Sequence, residues 1–162
     1  MDFLEKLTPK SHVGYVVENV DAALKSLQDT LCCATEATAY AFRPTKAWCC
    51  GLPINDLELR IAMCQIKDGV AFEYIQPVSP SGFHLLSLLS NGDSINHVCF
   101  TTDDFDHYHQ EFENMGATIV FEAEANDPLN GYRRCFYSKL NDIPGIIEVL
   151  QNATPYRPDI TA

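Results

Sequence analysis

What this chain can fold into is constrained most by a pattern that it carries twice. The segment His12-Val13-Gly14-Tyr15-Val16-Val17-Glu18-Asn19-Val20-Asp21 returns as His97-Val98-Cys99-Phe100-Thr101-Thr102-Asp103-Asp104-Phe105-Asp106. In both, a histidine opens a strand-like run that ends in acidic or amide residues, an apolar residue and an aspartate. A second matching stretch follows in each copy, Ala71-Phe72-Glu73-Tyr74-Ile75-Gln76 and then Ile146-Ile147-Glu148-Val149-Leu150-Gln151. The two histidines lie further apart in sequence than the two glutamates, a difference that a longer loop in the first copy absorbs. Each half therefore supplies one His and one Glu from apolar, strand-like segments. A carboxylate inside an apolar strand is costly to bury without a partner. Two His and two Glu, brought together by an internal pseudo-twofold, would neutralise one another on a divalent cation.

The local periodicities give both copies the order β-α-β-β-β. Ser11–Val17 alternates as a strand, with His12, Gly14 and Val16 on one face. Asn19 or Asp21 can cap a helix over Val20–Leu31, whose apolar residues Val20, Ala23, Leu24, Leu27 and Leu31 fall at helical spacing. The segment 34–56 holds one expected strand and a loop with Pro44, Trp48 and Gly51-Leu52-Pro53. Leu57–Ile66 and Val70–Pro77 read as a hairpin turning at Lys67-Asp68-Gly69, and Phe83–Leu89 as a short linker helix. In the second copy, Ile95–Thr102 reads as a strand and Phe105–Met115 as a helix stopped by Gly116. Strands follow at Ala117–Glu122, Tyr132–Tyr137 and Ile146–Leu150, and the tail after Gln151 reads as irregular. The expected organisation is a 1–10 extension, a first module at 11–78, a linker helix at 79–94, a second module at 95–151 and a 152–162 tail.

Composition narrows the classes of function. The 162 residues include 46% apolar and 20% charged residues, a globular balance. No segment approaches the roughly 18–20 apolar residues that a membrane span needs. Met1-Asp2-Phe3-Leu4-Glu5-Lys6 has neither a basic n-region nor an apolar h-region, so no secretory signal is expected. The seven cysteines include two adjacent pairs and no CxxC spacing, which suits reduced thiols in the cytoplasm better than disulfides or zinc knuckles. Lys and Arg number 11 against 22 Asp and Glu, giving a net charge of −11 that argues against nucleic acid or anionic membranes as partners.

The motifs His12-Val13-Gly14-Tyr15-Val16-Val17, Phe72-Glu73-Tyr74-Ile75-Gln76-Pro77, Ile95-Asn96-His97-Val98-Cys99-Phe100 and Pro144-Gly145-Ile146-Ile147-Glu148-Val149-Leu150 resemble the vicinal oxygen chelate superfamily. That superfamily takes in glyoxalase I, methylmalonyl-CoA epimerases, extradiol dioxygenases and drug-binding resistance proteins. The resemblance runs from Ser11 to Gln151 and implies an α+β fold in which two tandem βαβββ modules form a half-open barrel. It also implies a metal on the concave face, held by His12, Glu73, His97 and Glu148. Within the superfamily, the linker Phe83–Asn96 and the spacing of Glu73 from Pro77 most resemble the epimerases. Leu31-Cys32 at the end of the first helix, and Ser26-Leu27 within it, depart from that pattern. An extra catalytic Glu known in some epimerases would fall here on Glu58 or Arg60.

Two imidazoles and two carboxylates form a ligand set suited to Co, Mn, Ni, Zn or Fe as the divalent ion. Such a centre polarises a carbonyl so that Glu148 or Glu73 can remove the adjacent proton and return it. The expected activity is that of an epimerase or isomerase on an acyl-CoA thioester. The alternatives are a glyoxalase I-type isomerase of a glutathione hemithioacetal and a non-catalytic small-molecule binding protein. A homodimer is the expected assembly. His84, His107 and His109 read as incidental, and Cys49-Cys50 as an unlikely functional pair because strand neighbours face opposite ways. Tyr132-Arg133-Arg134 with Lys139 could charge a phosphate-binding patch or be a solvated hairpin end. Trp48 could line a substrate mouth or cap the core.

Overall fold

The structure is a computed structural model that describes residues 12–31, 37–65 and 71–160. Among the described residues, thirteen elements run in chain order: β1 (His12–Val16), α1 (Val20–Leu31), β2 (Tyr40–Phe42), β3 (Lys46–Cys49), β4 (Leu52–Pro53), β5 (Leu59–Gln65), β6 (Ala71–Pro77), α2 (Phe83–Asn91), β7 (Ser94–Thr102), α3 (Phe105–Asn114), β8 (Thr118–Asp127), β9 (Gly131–Lys139) and β10 (Ile146–Gln151). All ten strands join one sheet in the order β2-β5-β6-β1-β7-β10-β9-β8-β3-β4. No helix among the described residues is long and apolar enough to cross a membrane.

Chain connectivity forces this sheet to curl. β2 is one edge and β3 lies next to the other, yet only Arg43, Pro44 and Thr45 separate them. Four Cα steps span at most about 14 Å, so the two ends of the sheet must nearly meet. The result is the half-open barrel that the resemblance implies, with the two modules paired within one chain through antiparallel β1 and β7. α1 begins at an Asn19 cap, whose Oδ1 accepts the Ala22 N–H at 3.0 Å. It covers the outside of the first half over Val20, Leu24, Leu27, Ala62, Cys64 and Tyr74. α3 covers the second half over Phe136 and Val149, with Phe105, Tyr108 and Phe112 as its own contribution. It ends at Gly116, whose φ of 76° is the left-handed stop that its sequence position suggests. A third cluster, Leu57, Leu59, Ile61, Ile75, Phe121, Ala123 and Tyr137, fills the barrel interior.

Two parts of the sequence reading need correction. The segment 34–56 does not hold one strand but, among its described residues, three short ones, and β3 pairs with β8 of the other half. Its partner lies far away in sequence, so no local pattern announces it. β8 also runs five residues beyond Glu122, because β9 pairs with it as far as Asp127–Gly131. The tail is largely irregular, as expected, but Thr154 bridges back to Tyr132. The turn at Lys67-Asp68-Gly69 and the cysteines Cys32 and Cys33 lie outside the described residues.

Candidate metal centre

Strand register brings the four repeated residues to one place. β1 and β6 are parallel, with Gly14 beside Glu73, and β1 and β7 are antiparallel, with Gly14 beside His97. Across the sheet this makes a row Glu73–Gly14–His97. β7 and β10 are parallel with Glu148 beside Cys99, and one step further along the β1–β7 register His12 falls beside Cys99. The second row is therefore Glu148–Cys99–His12, the pseudo-twofold mate of the first. In each parallel pair the Glu stands two residues beyond the partner of the His, Ala71 for His12 and Ile146 for His97.

All four side chains point into the barrel. His12 Nε2 lies 3.1 Å from Glu73 Oε2 and 3.1 Å from Glu148 Oε2. His97 Nε2 lies 3.3 Å from Glu73 Oε2 and 3.1 Å from Glu148 Oε2. The two Nε2 atoms are 3.3 Å apart, and one ligand atom from each residue falls within 4.8 Å of every other. Neighbouring ligands held about 2.0–2.2 Å from one ion would be spaced roughly 3.0–3.4 Å apart, so this cluster has the dimensions of a coordination sphere. Glu148 Oε2 is shut off from solvent without a well-formed hydrogen bond, and the groups in front of it are the two imidazoles. Borderline nitrogen and hard oxygen donors converging on one buried point fit a divalent cation.

Charge is concentrated here. Burial pulls the His12 imidazole down, but hydrogen bonds and charge from Glu148 and Glu73 overcome it and hold it up at about 10. The same balance, with Glu148 foremost among the raising influences, holds His97 up at about 9. Burial pushes both glutamates up, yet the facing imidazoles hold each well below the usual carboxylate range. Without a cation the cluster is thus two ion pairs locked face to face. Burial first, and then Glu148, pushes the Cys99 thiol far up, so it stays protonated.

Three further residues support the quartet. Gly14 is required by proximity: a Cβ there would collide with the His97 ring. Its signal in the sequence is a glycine inside an apolar strand, which marks a close approach. Asn96 accounts for the second support. Gly14 pairs with His97 and Tyr15 with Ile95, so Asn96 is the extra residue of a bulge. From there its Oδ1 lies 3.0 Å from His97 Nδ1, while its amide donates to Ser87 Oγ at 2.9 Å. This fixes the ring and directs Nε2 to the centre. Tyr137, centroid 4.5 Å from that of His97, backs the ring.

Above the quartet is a cavity of about 180 Å³, walled by Leu59, Ile61, Phe121, Ala123 and Tyr137, with Tyr40 and Arg133 also in its lining. It is smaller than the roughly 300–1,000 Å³ of pockets that engulf a drug-sized ligand, so it suits the reacting head of a substrate. His84, read as incidental, lines this cavity and is 1% exposed. Phe83, Phe121 and Tyr137 surround it, its Nε2 lies 3.4 Å from the Tyr137 hydroxyl, and its Nδ1 is buried without a partner. Burial, and then the charge on His97, hold it down at about 3, so it is neutral.

Other candidates fall elsewhere. Glu58 pairs with Arg43 at 2.9 Å, and Arg60 with Asp21 of α1 at 2.9 Å, so neither position puts a further base in the cavity. Leu59 and Ile61 face inward instead. Trp48 stands beside Glu122 in the β3–β8 register and is not among the residues that line the cavity. His109 lies 3.0 Å from Glu122, and His107 packs on Tyr108. Cys49 and Cys50 do not face opposite ways, because Cys50 turns the chain with φ 49° and the two thiols meet.

The family model of the Glyoxalase/Bleomycin resistance protein/Dioxygenase superfamily matches residues 11–136. No curated protein matches the chain. Among solved structures, methylmalonyl-CoA epimerase from Mycobacterium tuberculosis is similar with a TM-score of 0.60 and 20% identity, over 92% of this chain and 89% of that one. A variant of the Streptomyces coelicolor methylmalonyl-CoA epimerase, in complex with 2-nitronate-propionyl-CoA, gives 0.62 and 17%, over 91% and 99%. A variant of 4-hydroxymandelate synthase from Streptomyces coelicolor gives 0.59 and 12%, over 94% of this chain and 50% of that chain. At such identities the likeness is one of fold.

Proposed function

The chain belongs to the glyoxalase/bleomycin resistance protein/dioxygenase superfamily, and from that premise we propose that it is a metal-dependent epimerase or isomerase. Its reaction moves a proton α to a carbonyl, and its substrate class is an acyl-CoA thioester such as methylmalonyl-CoA. The observation that carries this reading is the convergence of His12, Glu73, His97 and Glu148 within 4.8 Å at the base of the cavity. The fold shared with methylmalonyl-CoA epimerases supports it.

In this reading the four residues hold one divalent ion, which supplies Lewis-acid polarisation of the substrate carbonyl. The remaining work belongs to the chain. Glu73 and Glu148 are the carboxylates among the residues that line the cavity, so the proton transfers are assigned to them. One takes the α-proton from the substrate. Return of a proton to the opposite face of the same carbon inverts it, and return to a neighbouring carbon isomerises the substrate. The apolar walls Leu59, Ile61 and Phe121 keep bulk water from the charged intermediate, so the proton it regains comes from a carboxyl group, which exchanges with solvent between turnovers.

Two measurements on untagged protein test the reading: metal content after reconstitution, and deuterium incorporation from solvent into methylmalonyl-CoA. One ion per chain with rapid exchange is the expected result. Metal without exchange would move the substrate to another carbonyl compound. Failure to take up metal would leave a binding protein and end the enzymatic proposal.

A further inference from the structure

Arg133 differs from every other arginine of the chain. The sequence has five, Arg43, Arg60, Arg133, Arg134 and Arg157. Four have a carboxylate partner: Arg43 with Glu58, Arg60 with Asp21, Arg134 with Asp106 and Arg157 with Asp159. Arg133 has none within ion-pair distance among the described residues. Its neighbour Arg134 also borders the cavity, but its guanidinium is already engaged, bidentate on Asp106 at 2.8 and 3.3 Å, bonded to Gln151 and stacked over Phe105. Alternation along β9 then turns Arg133 the other way, onto the side of Cys135 and Tyr137 and into the lining of the cavity.

Around that guanidinium there is little to satisfy it. The Tyr40 hydroxyl lies near enough to feel its charge. Asp127 feels its charge from a distance but already holds the backbone amides of Leu129 and Asn130 at 2.9 and 2.8 Å. A half-buried cation facing an apolar cavity costs free energy unless something anionic meets it. The guanidinium fork matches the oxygens of a carboxylate or phosphate in a way that a point charge does not. The net charge of −11 opposes the approach of an anionic ligand, and a cation in the cavity lining offsets that locally.

We propose that Arg133, assisted by Tyr40, is the anion subsite of this cavity. Its ligand carries a carboxylate or phosphate oxygen group beyond the carbonyl that reacts. The inference rests on reading the cavity as a substrate site and adds the substrate's second recognition element. Tyr137 pairs with Glu148, and Arg133 stands four residues along the same strand, about 13 Å at the usual rise. The anion therefore binds at the mouth, several bonds from the reacting carbon, and sets the chain length that fits.

Calorimetric binding to metal-loaded and metal-free protein tests this, using two pairs of probes. The first pair is 2-oxoglutarate against 2-oxopentanoate, which differ in the distal carboxylate. The second is 4'-phosphopantetheine against pantetheine, which differ in one phosphate. The unaltered chain is expected to favour the member with the additional anionic group in at least one pair by about tenfold or more. Arg133→Gln should abolish that preference, Arg133→Lys should retain part of it, and Arg134→Gln should leave it in place. Preference in the first pair assigns a carboxylate, and preference in the second a phosphate. No anion preference in either pair, or a preference that survives Arg133→Gln, overturns the proposal. Metal content and deuterium exchange are read separately, so a failed metal centre and a failed anion subsite are distinguishable.

Discussion

The two rows Glu73–Gly14–His97 and Glu148–Cys99–His12 are related by the internal duplication, yet they are not built alike. At the middle position the first row has no side chain, so the His97 ring can lie directly over β1, where any Cβ would collide with it. The second row has Cys99 at that place, and His12 must stand off. Accordingly the His97 side chain is fully shielded and the His12 side chain is 10% exposed. His97 also has Asn96 on Nδ1 and Tyr137 behind it, whereas the polar contacts of His12 among the described residues go to the quartet itself. Duplication supplies the symmetry of the candidate metal centre, and a single small-for-large exchange divides it into a rigid side and an adaptable one.

The strongest way to break that contrast is to delete each imidazole in turn. His97→Ala is expected to abolish metal retention through dialysis while circular dichroism shows an intact fold. His12→Ala should bind weakly but measurably, because three ligands and the scaffold of His97 remain. Equal losses in the two variants would show that the rigid side has no special part. Next in size is Gly14→Ala. Overpacking at such a contact costs about 1–3 kcal/mol, and pushing the His97 ring aside should lower metal affinity by more than about tenfold. Cys99→Gly, the reciprocal change, should leave metal affinity unchanged, apart from the ~0.5–1 kcal/mol of stability that a glycine costs within a strand. Asn96→Ala keeps every ligand and removes only the bond that orients His97. Loss of such an outer partner typically costs about 10–100-fold in metal affinity, which titration against a chelator would measure.

The same contrast explains what the sequence could reveal. The quartet positions were legible because duplication wrote them twice, in strands whose alternation fixes the face each side chain takes. The helices α1 and α3 were legible from their apolar spacing. Asn96 was not, because a bulge depends on how two distant strands pair and leaves no trace in either alone. The β3–β4 hairpin was missed for a similar reason: it sits in the first half of the sequence but completes the sheet edge of the second. His84 inverts the expected pattern of its helix. It is buried while Leu86 and Leu89 are 58% and 75% exposed, since an aromatic box and the Tyr137 hydroxyl exist to receive it only once the barrel has closed. Gly14 could have been flagged by its place within a strand, although not the ring that needs it.

The smallest expected effect is a graded one with pH, and it separates the protein alone from its metal complex. In the metal-free chain His12 and His97 are held up at about 10 and about 9. A group whose folded value is raised stabilises fully below its unfolded value, about 6.5 for histidine, and loses that contribution as pH climbs through the folded value. The glutamates are held low, so their contribution is present above the ordinary carboxylate range and disappears only in strong acid. Melting temperature of the metal-free protein should therefore hold level from about pH 5 to 6.5 and then decline toward pH 10. Metal affinity should run the other way across that range, because ligation requires neutral imidazoles, and uptake at pH 7 should release about one proton per histidine. Calorimetry in two buffers of different ionisation enthalpy counts those protons. A metal-free melting temperature that stays flat from pH 6 to 9, with no proton released on binding, would mean that the imidazoles are already neutral and that the glutamates face each other unpaired. The two rows would then be held together by something other than the ion pairs described above.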